Sequence, residues 1–492
     1  MTISFTSIPA DIRTPGQYVE FDSSRAVSGS PPIVNRVLIV GQKLAAGTSA
    51  ALTRQAVSDA SQAIALFGRG SMLARMVAAY KTADKYSEVI AIGLDDAAGS
   101  TAATATITVT GPATESRELA LMIAGVRVPL TIASGDIATS IATAIAAAVN
   151  AKLDLPVTAA VGASPNQHVV TLTARNKGSA GNEIDVRHSH YAGEALAAGV
   201  GIAVVAMAGG AGDPEIDNLW PVVGDQPYRT MIFGVITASI AAKIKLELDD
   251  RWGPERMLES FAYAAKSGTQ GTLAAFGAAL NSELLTILGS GKSPTWSAEV
   301  AAIYAAICGY YTAVDPARPT QTLTLTGMVA PKEADQFTRA QRDLLLRDGI
   351  ATFVADTSGV CRIERSITTY QTDAFGLPSV AYLDLETVTT LAYLRASLRS
   401  RIATKFPRHK LADDDTRFGA GQAIVTPKII RAEIIALARE WEDAGLVEGL
   451  DQFVTDLIVE RDANDVNRIN ALIPPDIVNQ FRSFAAAIQF RL

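Results

Sequence analysis

Residues 36–40 read RVLIV, a short apolar run with β-branched side chains that ends at Gly41. Residues 62–80 follow with the apolar spacing and length of a helix, and residues 89–93 (VIAIG) form the next apolar run. A strand, a helix and a second strand at this spacing indicate a βαβ unit, which puts parallel strands in a sheet with helices on its faces. We therefore predict an α/β core domain.

The same alternation returns after residue 213. Strands are predicted at residues 230–236, 257–262, 283–288 and 350–356, and helices at residues 238–252, 272–281, 297–311 and 332–348. These segments continue the pattern that begins at residue 36. We therefore expect one mixed or parallel sheet with flanking helices, built from residues 31–98 and 213–383.

Residues 99–212 are rich in Thr, Ala and Gly and poor in charge, which predicts an inserted α+β subdomain. Its ends are expected to enter the core at one surface point, as tolerated insertions do. Within it, residues 195–212 carry no charge over 18 positions, the length at which a membrane helix must be considered. Their Ala and Gly content instead favours a buried strand that ends at a glycine turn.

Residues 384–482 are predicted to form an α+β C-terminal domain. A helix over residues 384–405 carries Arg395 and Arg399 one turn apart, on one side. An acidic loop follows, and a second helix begins at Pro427 after Thr426, a usual capping pair. Charged contacts to a neighbouring copy or another partner are predicted at the two arginines and at the acidic loop residues Asp413, Asp414 and Asp415.

Composition excludes several classes of function. The 492 residues include 43 basic and 50 acidic side chains, a net charge of −7, which opposes nucleic-acid binding. The length allows about three domains. Cys308 and Cys361 lack metal-ligand spacing and cannot make a disulfide framework. The first 13 residues do not resemble a secretion signal, so we expect synthesis and assembly in the cytoplasm.

Motifs for nucleotides are incomplete. Residues 41–48 follow a strand, but five residues separate their glycines and no lysine precedes Thr48. Gly291, Lys292 and Ser293 match only the end of a phosphate loop. We interpret both segments as structural turns.

Motifs for metal or acyl-transfer chemistry are also weak. His188 and His190 would share one face of a strand, yet further metal ligands are not identifiable. The chain lacks a GxSxG motif, and Ser358 has no recognisable histidine partner. We predict no catalytic site, no metal and no cofactor.

Both chain ends have the period of a strand with one apolar face. Residues 1–30 are predicted to form an extended arm in which Ile3 and Phe5 alternate with polar residues, and residues 483–492 form a second arm strand. An exposed strand with one apolar face promotes aggregation unless another strand pairs with it. Each arm could pair within its own chain or complete a sheet in a neighbouring copy. In the C-terminal arm, the apolar side chains expected to contact a neighbouring copy are Phe484, Ile488, Phe490 and Leu492.

Several segments together resemble the tail sheath proteins of contractile bacteriophages. They are residues 14–20 (TPGQYVE), 350–363 (IATFVADTSGVCRI), 366–370 (SITTY) and the run 382–492. Within that run, residues 405–418, 459–468 and 471–478 are most similar to the Mu-like branch. The resemblance is weakest over residues 99–212.

The resemblance implies a non-enzymatic virion protein that stacks as six-membered rings around a rigid tail tube and contracts to drive the tube through the host envelope. Terminal arms, with Tyr18 and Val19 in the first, would join neighbouring copies. The C-terminal domain would face the tube, and the insertion would point outward and be expendable for contraction. The implied partners are further copies, the tail tube protein, and baseplate and tail terminator proteins, without nucleic acid or membrane insertion.

Two alternatives of other classes remain open at this point. One is an α/β nucleotide-binding enzyme that uses the Gly41 turn. The other is a virion surface protein whose Thr-rich insertion binds a receptor.

Overall fold

The computed structural model describes residues 14, 16, 17, 35–419 and 421–491. The chain divides into two compact units. The core unit comprises Ile33–Ala392 and Asn479–Leu492, and the C-terminal unit comprises Met1–Pro32 and Tyr393–Val478. The predicted arm positions Ile3, Phe5, Tyr18, Val19 and Leu492 lie outside the described residues.

The first part of the core unit contains two helices rather than the single helix predicted over residues 62–80. Its elements are β1 (Val37–Gln42), β2 (Arg54–Ala56), α1 (Ala60–Phe67), α2 (Met72–Ala83) and β3 (Val89–Leu94). Gly68 and Gly70 separate the helices with φ angles of 88° and 78°. Glycine adopts these angles without steric penalty, so the apolar period continues while the helix stops.

The inserted segment forms two antiparallel sheets and one helix. Its elements are β4 (Thr104–Thr110), β5 (Arg117–Ile123), β6 (Val126–Ile132), α3 (Ala138–Ala151), β7 (Val157–Val161), β8 (Val169–Ala174), β9 (Val186–His188) and β10 (Gly201–Ala208). The sheet orders are β10-β4-β8-β7 and β6-β5-β9. Thr101 pairs with Ala211 in an antiparallel bridge, so the two ends of the insertion lie side by side.

The uncharged run at residues 195–212 is a strand, but not a buried one. Strand β10 lies at a sheet edge, and most of its side chains are exposed or half-buried. The prediction of a buried strand was wrong because an edge strand that is covered on one side can have the same apolar composition as a buried strand. Among the described residues, no helix combines the length and the apolar character needed to cross a membrane.

The rest of the core unit alternates strands and helices. Its elements are α4 (Leu219–Val223), β11 (Thr230–Phe233), α5 (Ala238–Trp252), β12 (Phe261–Ser267), α6 (Gln270–Ala278), β13 (Leu285–Gly291), α7 (Ser297–Val314), β14 (Thr324–Val329), α8 (Arg339–Arg347), β15 (Thr352–Ala355) and β16 (Val360–Arg365). Two predictions were misplaced. Strand β12 starts four residues later than expected, after Met257 with its φ of 48°. Helix α8 starts only at the Thr338–Gln341 capping box rather than at residue 332.

The strand predicted at residues 350–356 lies outside the main sheet, because the turn at residues 356–359 folds β16 back against β15, and both strands join β14 in a separate antiparallel sheet. The other predicted core strands lie in one mixed sheet. Its order is β13-β12-β11-β1-β3-β2, parallel except for the antiparallel edge strand β2. All residues of β1, β11 and β13 are buried, as expected of strands covered on both faces. Counting parallel strands in chain order gives 2-1-3-4-5. The order reverses between β1 and β11, where open α/β sheets usually bind ligands at the carboxyl ends of the strands.

The C-terminal unit contains short sheets around a helical core. The elements from residue 385 onward are α9 (Leu385–Lys405), β17 (Lys410–Leu411), β18 (Ile424–Val425), α10 (Pro427–Asp443), β19 (Val447–Glu448), α11 (Leu450–Asp456), β20 (Ile458–Arg461), β21 (Ile469–Leu472) and β22 (Asp476–Ile477). Strands pair as β17-β18, β19-β22 and β20-β21. Trp441 is buried and donates its indole N–H to Ser397 Oγ at 2.9 Å.

Candidate assembly surfaces

The C-terminal segment is fixed to the core unit at two points. Gln480 Nε2 donates to the carbonyl of Ala317 at 2.5 Å. Arg482 Nη2 donates to Asp384 Oδ1 at 3.1 Å and to Glu386 Oε2 at 3.0 Å. These contacts hold residues 480–482, so the position at which the chain leaves the core unit is defined.

Arg482 belongs to a cluster of alternating charges with Arg365, Asp384 and Glu386, which we call the Arg482 anchor. Arg365 binds Asp384 through two hydrogen bonds of 2.9 Å, and this bond raises the pKa of the arginine. Glu386 is fully buried and also accepts hydrogen bonds from the amide and hydroxyl of Thr320. Buried Glu386 and half-buried Asp384 therefore each have a cationic partner, which a charge removed from water requires.

Beyond the anchor the chain carries exposed apolar side chains. Phe484, Ile488 and Phe490 are 81%, 90% and 79% exposed. Residues 478–491 contain no strand, and no backbone hydrogen bond to other described residues is found for residues 479–491. A strand forms only when its backbone groups pair with those of another strand. The arm strand predicted at residues 483–492 would therefore form in an assembled state, and it remains a prediction.

The hairpin β20–β21 is a second incomplete surface. Its four residue pairs run from Ile458–Leu472 to Arg461–Ile469, and the strands have no other partner among the described residues. Asp462 stabilises the connection by accepting hydrogen bonds from the amides of Asn464 and Asp465 and from the side chain of Asn470. Ile458 and Leu472 are exposed. Two strands alone form a marginal sheet with two open edges.

The acidic loop predicted to bind partners is already used inside the C-terminal unit. Asp413 pairs with Arg461 at 2.7 Å, and Asp415 pairs with Lys428 at 2.9 Å. Asp414 accepts the amide of Lys428 at 3.0 Å, which lowers the pKa of this carboxyl and caps the first turn of α10. Thr426 stands at the N-cap position, but its side chain makes no capping hydrogen bond.

The predicted basic face of α9 is also engaged. Arg395 and Arg399 each have an interaction partner in the structure. Arg401, on the same helix, binds Glu433 at 2.9 Å and also Glu440. Contacts of Arg395, Arg399 and the acidic loop to another molecule remain predictions, and any such contact would involve residues that already have local partners.

Sequence reasoning missed the Arg482 anchor and the hairpin. Arg482 lies 96 positions from Glu386, and no local pattern connects them. The hairpin strands are four residues long and polar at several positions, so neither shows a clear two-residue period. One signal was available: Arg482 is the charge that immediately precedes the alternating run at residues 483–492.

The usual ligand position of the core sheet is filled by the insertion. Gln42, at the end of β1, donates to Asp96 and to the carbonyl of Lys177, both at 2.7 Å. Buried Asn176 accepts the first amide of α2 at Met72 and donates to the carbonyl of Lys43. Residues 176–177 therefore occupy the carboxyl end of β1, beside the point where the strand order reverses.

Further contacts seal this edge. Glu183 binds Lys266, at the end of β12, at 2.5 Å. Buried Trp296 donates its indole N–H to the carbonyl of Ala180 at 2.9 Å. The residues between β8 and β9, which include a 3-10 turn at Ser179–Glu183, thus pack on the sheet through polar contacts.

The candidate chemical motifs occupy structural positions. A Cβ added to Gly47 would lie 2.5 Å from the carbonyl oxygen of Leu66, so this glycine permits close packing on α1. Lys292 pairs with Asp335 at 2.7 Å. Ser189 has a φ of 50°, which ends β9 and breaks the strand geometry that would align His188 with His190. The described residues hold no group of three or more His, Cys, Asp or Glu that could bind a metal ion.

Comparison with known proteins identifies two matching family models. The phage tail sheath protein central domain matches residues 209–369, and the phage tail sheath C-terminal domain matches residues 378–491. The Mu-like prophage FluMu tail sheath protein of Haemophilus influenzae is 40% identical over 492 residues, covering 100% of both chains.

Solved structures with similar chains include a sheath tail protein from Desulfitobacterium hafniense. It is 14% identical, with a TM-score of 0.47, over 94% of this chain and 100% of that chain. The helical sheath of the anti-feeding prophage in its contracted state is 8% identical, with a TM-score of 0.48, over 97% of this chain and 98% of that chain.

Proposed function

The chain belongs to the tail sheath family of contractile bacteriophages, and from this premise we propose that it polymerises as stacked hexameric rings around a tail tube. The rings contract together and drive the tube through the host envelope. The protein acts as a structural subunit, not as an enzyme, and its terminal arms exchange strands between neighbouring copies.

The observation that carries the proposal is the exposed apolar segment that follows the Arg482 anchor. Burying two phenylalanines and one isoleucine would remove roughly 400 Å² of apolar surface from water, a gross gain of about 10 kcal/mol. Fixing one copy relative to another costs about 4–15 kcal/mol. One arm contact is therefore marginal by itself, and stable assembly requires several contacts per copy.

The hairpin β20–β21 supports strand exchange as an acceptor. Its open edges offer unpaired backbone groups, and the exposed Ile458 and Leu472 offer apolar side chains. An extended arm with apolar residues at alternate positions matches such an edge, because main-chain hydrogen bonds give affinity and the alternate side chains set the register. We propose that the arm of a neighbouring copy completes this sheet.

Contraction is proposed as a rigid-body transition between two packings of the same subunit. The arms stay paired while the core units rotate and slide, so that each ring pulls on the next. The driving free energy comes from subunit contacts that improve in the contracted state. Filling of the sheet's carboxyl edge by residues 176–183 supports a mechanism without nucleotide.

The proposed partners are further copies of the chain, the tail tube protein, and baseplate and tail terminator proteins. One structural relative is described as part of an anti-feeding prophage baseplate. The net charge of −7 supports the absence of nucleic-acid binding. The protein is a virion component, and its assembly is proposed to take place in the host cytoplasm. We further propose that the C-terminal domain faces the tube and that the insertion points outward.

The arm is tested by deleting residues 483–492 while retaining Arg482. We expect a folded monomer that forms no tubes at concentrations where the full chain does, as seen by negative-stain electron microscopy. A matched pair of variants separates the two faces. Replacing Phe484, Ile488 and Phe490 by Ser should abolish tubes, whereas replacing Ser483, Gln489 and Arg491 by Ala should preserve them.

Normal tubes from the deletion variant would refute the arm's role. Equal loss of assembly in both triple variants would refute a strand with one apolar face. The absence of tubes from the full chain at all concentrations tested would contradict the proposed polymerisation itself.

A further inference from the structure

A second exposed apolar surface lies in the core unit, on residues 373–380 (DAFGLPSV), which we call the Phe375 loop. Phe375, Leu377 and Val380 are 89%, 62% and 76% exposed. Three large apolar side chains within six positions are unusual on a protein surface that meets only water. The loop is separate from the C-terminal arm and from the hairpin β20–β21.

The tip of the Phe375 loop is held by its own hydrogen bonds. Asp373 Oδ1 accepts the amides of Phe375 and Leu377, both at 2.9 Å. The amide of Asp373 donates to the carbonyl of Leu377 at 2.9 Å, and Gly376 takes a φ of 78° at the turn. The exposed phenylalanine therefore stands on a folded tip, which lowers the entropy lost when it binds.

The base of the loop is joined to the core unit by buried or half-buried amides. Asn281 accepts the amide of Gln371 at 2.8 Å and donates to the carbonyl of Thr372 at 2.9 Å. Gln371 donates to the carbonyls of Gly277 and Leu280. Tyr370 and Tyr382 pack edge to face, with ring centroids 5.2 Å apart. The loop is a firm projection and not a loose connection.

The same unit has an open cleft of about 380 Å³ between helices α1, α2 and α7 and strand β14. Small and apolar side chains dominate its lining, among them Ala60, Ile64, Ala74, Ala78 and Ile303. The three charged residues of its wall are paired, because Arg75 Nε binds Glu299 Oε1 at 2.6 Å and Asp154 Oδ1 binds Arg69 Nε at 3.3 Å. The cleft therefore suits apolar side chains.

Charge at the rim matches the Phe375 loop. Arg69 and Lys152 line a depression that continues from the cleft through Arg75 and Asp154. Arg69 pairs with Asp154, and Lys152 is exposed. The Phe375 loop contains one acidic residue, Asp373, and no basic residue. A loop with an apolar tip and one carboxylate therefore complements an apolar cleft whose rim carries an exposed lysine, Lys152, that has no ion pair among the described residues.

Phe375 is almost fully exposed, so the loop does not occupy the cleft of its own chain. We propose that the Phe375 loop of one copy inserts Phe375 and Leu377 into the cleft of the next copy. Loop and cleft are different surfaces, so the contact is heterologous and propagates into rings or helices rather than closing as a dimer. The inference rests on the proposed sheath function, in which every copy meets further copies.

The contact is tested by cross-linking two single-cysteine variants. Ala374→Cys is placed on the loop and Thr82→Cys on the cleft wall, and both positions are exposed. The native thiols should not interfere, because Cys308 and Cys361 are buried and burial raises the pKa of each to about 12. Assembled mixtures of the two variants are treated with a short bismaleimide, and covalent dimers are measured on denaturing gels.

We expect dimers from the mixture of Ala374→Cys and Thr82→Cys, and none from either variant alone. The control replaces Thr82→Cys by Ser358→Cys, an exposed position that does not line the cleft. Normal tubes without dimers in the first mixture would overturn the loop contact and leave the sheath function standing. Dimers from Ala374→Cys alone would also overturn it, because they would place two loops together.

A second measurement uses the phenylalanine itself. Phe375→Asp should raise the protein concentration needed for assembly about tenfold or more, as expected for loss of a buried aromatic anchor, whereas Phe375→Leu should raise it much less. Monomer unfolding in urea should be unchanged in both, because the side chain is exposed in the single chain. An unchanged assembly threshold in Phe375→Asp would overturn the proposal.

Discussion

At the residue scale, the most informative group is the Arg482 anchor. A fully buried glutamate is tolerated at Glu386 because Arg482 and the Thr320 amide and hydroxyl satisfy it. Arg482 thereby links the last residues of the chain to the start of α9. Its Nε and Nη1 atoms are buried and have no hydrogen-bond partner among the described residues, so the anchor is held mainly by the contacts of Nη2.

Substituting Arg482 by Ala should lower the free energy of unfolding by about 2–4 kcal/mol, because Glu386 would be left buried with its charge uncompensated. The effect is measured by urea denaturation of the single chain. Arg491→Ala is the matched control, since Arg491 is exposed, and a change within about 0.5 kcal/mol is expected for it. Equal stability of Arg482→Ala and the native chain would show that the anchor does not contribute to folding.

At the element scale, the sequence was sufficient for strands buried on both faces and for helices with one buried face. Strand β1 and helix α5 lie where the apolar pattern places them. The ends of helices and strands were not predictable where the backbone conformation sets them. At Gly68 and Gly70, positive φ angles end a helix but leave the apolar period of the sequence intact. Pairing over long separations was not predictable, because a single sequence contains no record of which segments meet.

The same limit explains the candidate surfaces. The apolar arm at residues 483–492 was visible as an alternation, whereas its anchor depends on Asp384 and Glu386, which lie far away in the chain. The acidic loop looked available because its residues lack local partners in sequence. Folding brings Arg461 and Lys428 to it.

The inserted segment gives a further prediction at this scale. Asn176 is buried and joins the insertion to both α2 and the end of β1, so Asn176→Ala should destabilise the core unit by about 1–3 kcal/mol through unsatisfied polar groups. We expect the insertion and the core sheet to unfold in one transition, followed by circular dichroism and tryptophan fluorescence. The reporter Trp296 contacts the insertion directly.

Asn166→Ala is the control for this substitution, because Asn166 is exposed. Two separate transitions in the native chain, or equal stability of Asn176→Ala and Asn166→Ala, would contradict a structural dependence of the sheet on the insertion. Either result would show that the core sheet is stable without the contacts of Asn176.

At the scale of the whole molecule, two kinds of contact compete as the basis of assembly. One kind is apolar and includes the arm at residues 483–492 and the Phe375 loop. The other is ionic and would join Arg395 and Arg399 to the acidic loop of another copy. The charged candidates already have partners in the chain. Exchanging one partner for another of the same kind gains little free energy in water.

Salt separates these two cases and gives the last prediction. Each copy carries a net charge of −7, so neighbouring copies repel one another over a distance that shrinks to about 10 Å at 0.1 M salt. Raising the sodium chloride concentration from about 0.02 M to about 0.5 M takes the solution from weak to strong screening. The protein concentration needed for assembly should therefore fall, because the electrostatic repulsion weakens while the free energy gained by burying apolar surface does not. Light scattering across a dilution series measures that threshold. Sodium sulfate, which strengthens apolar association further, should lower it more than sodium chloride at equal ionic strength. If tubes dissolve as salt rises, ionic contacts dominate the lattice, and the arm and the Phe375 loop cannot be its main source of stability.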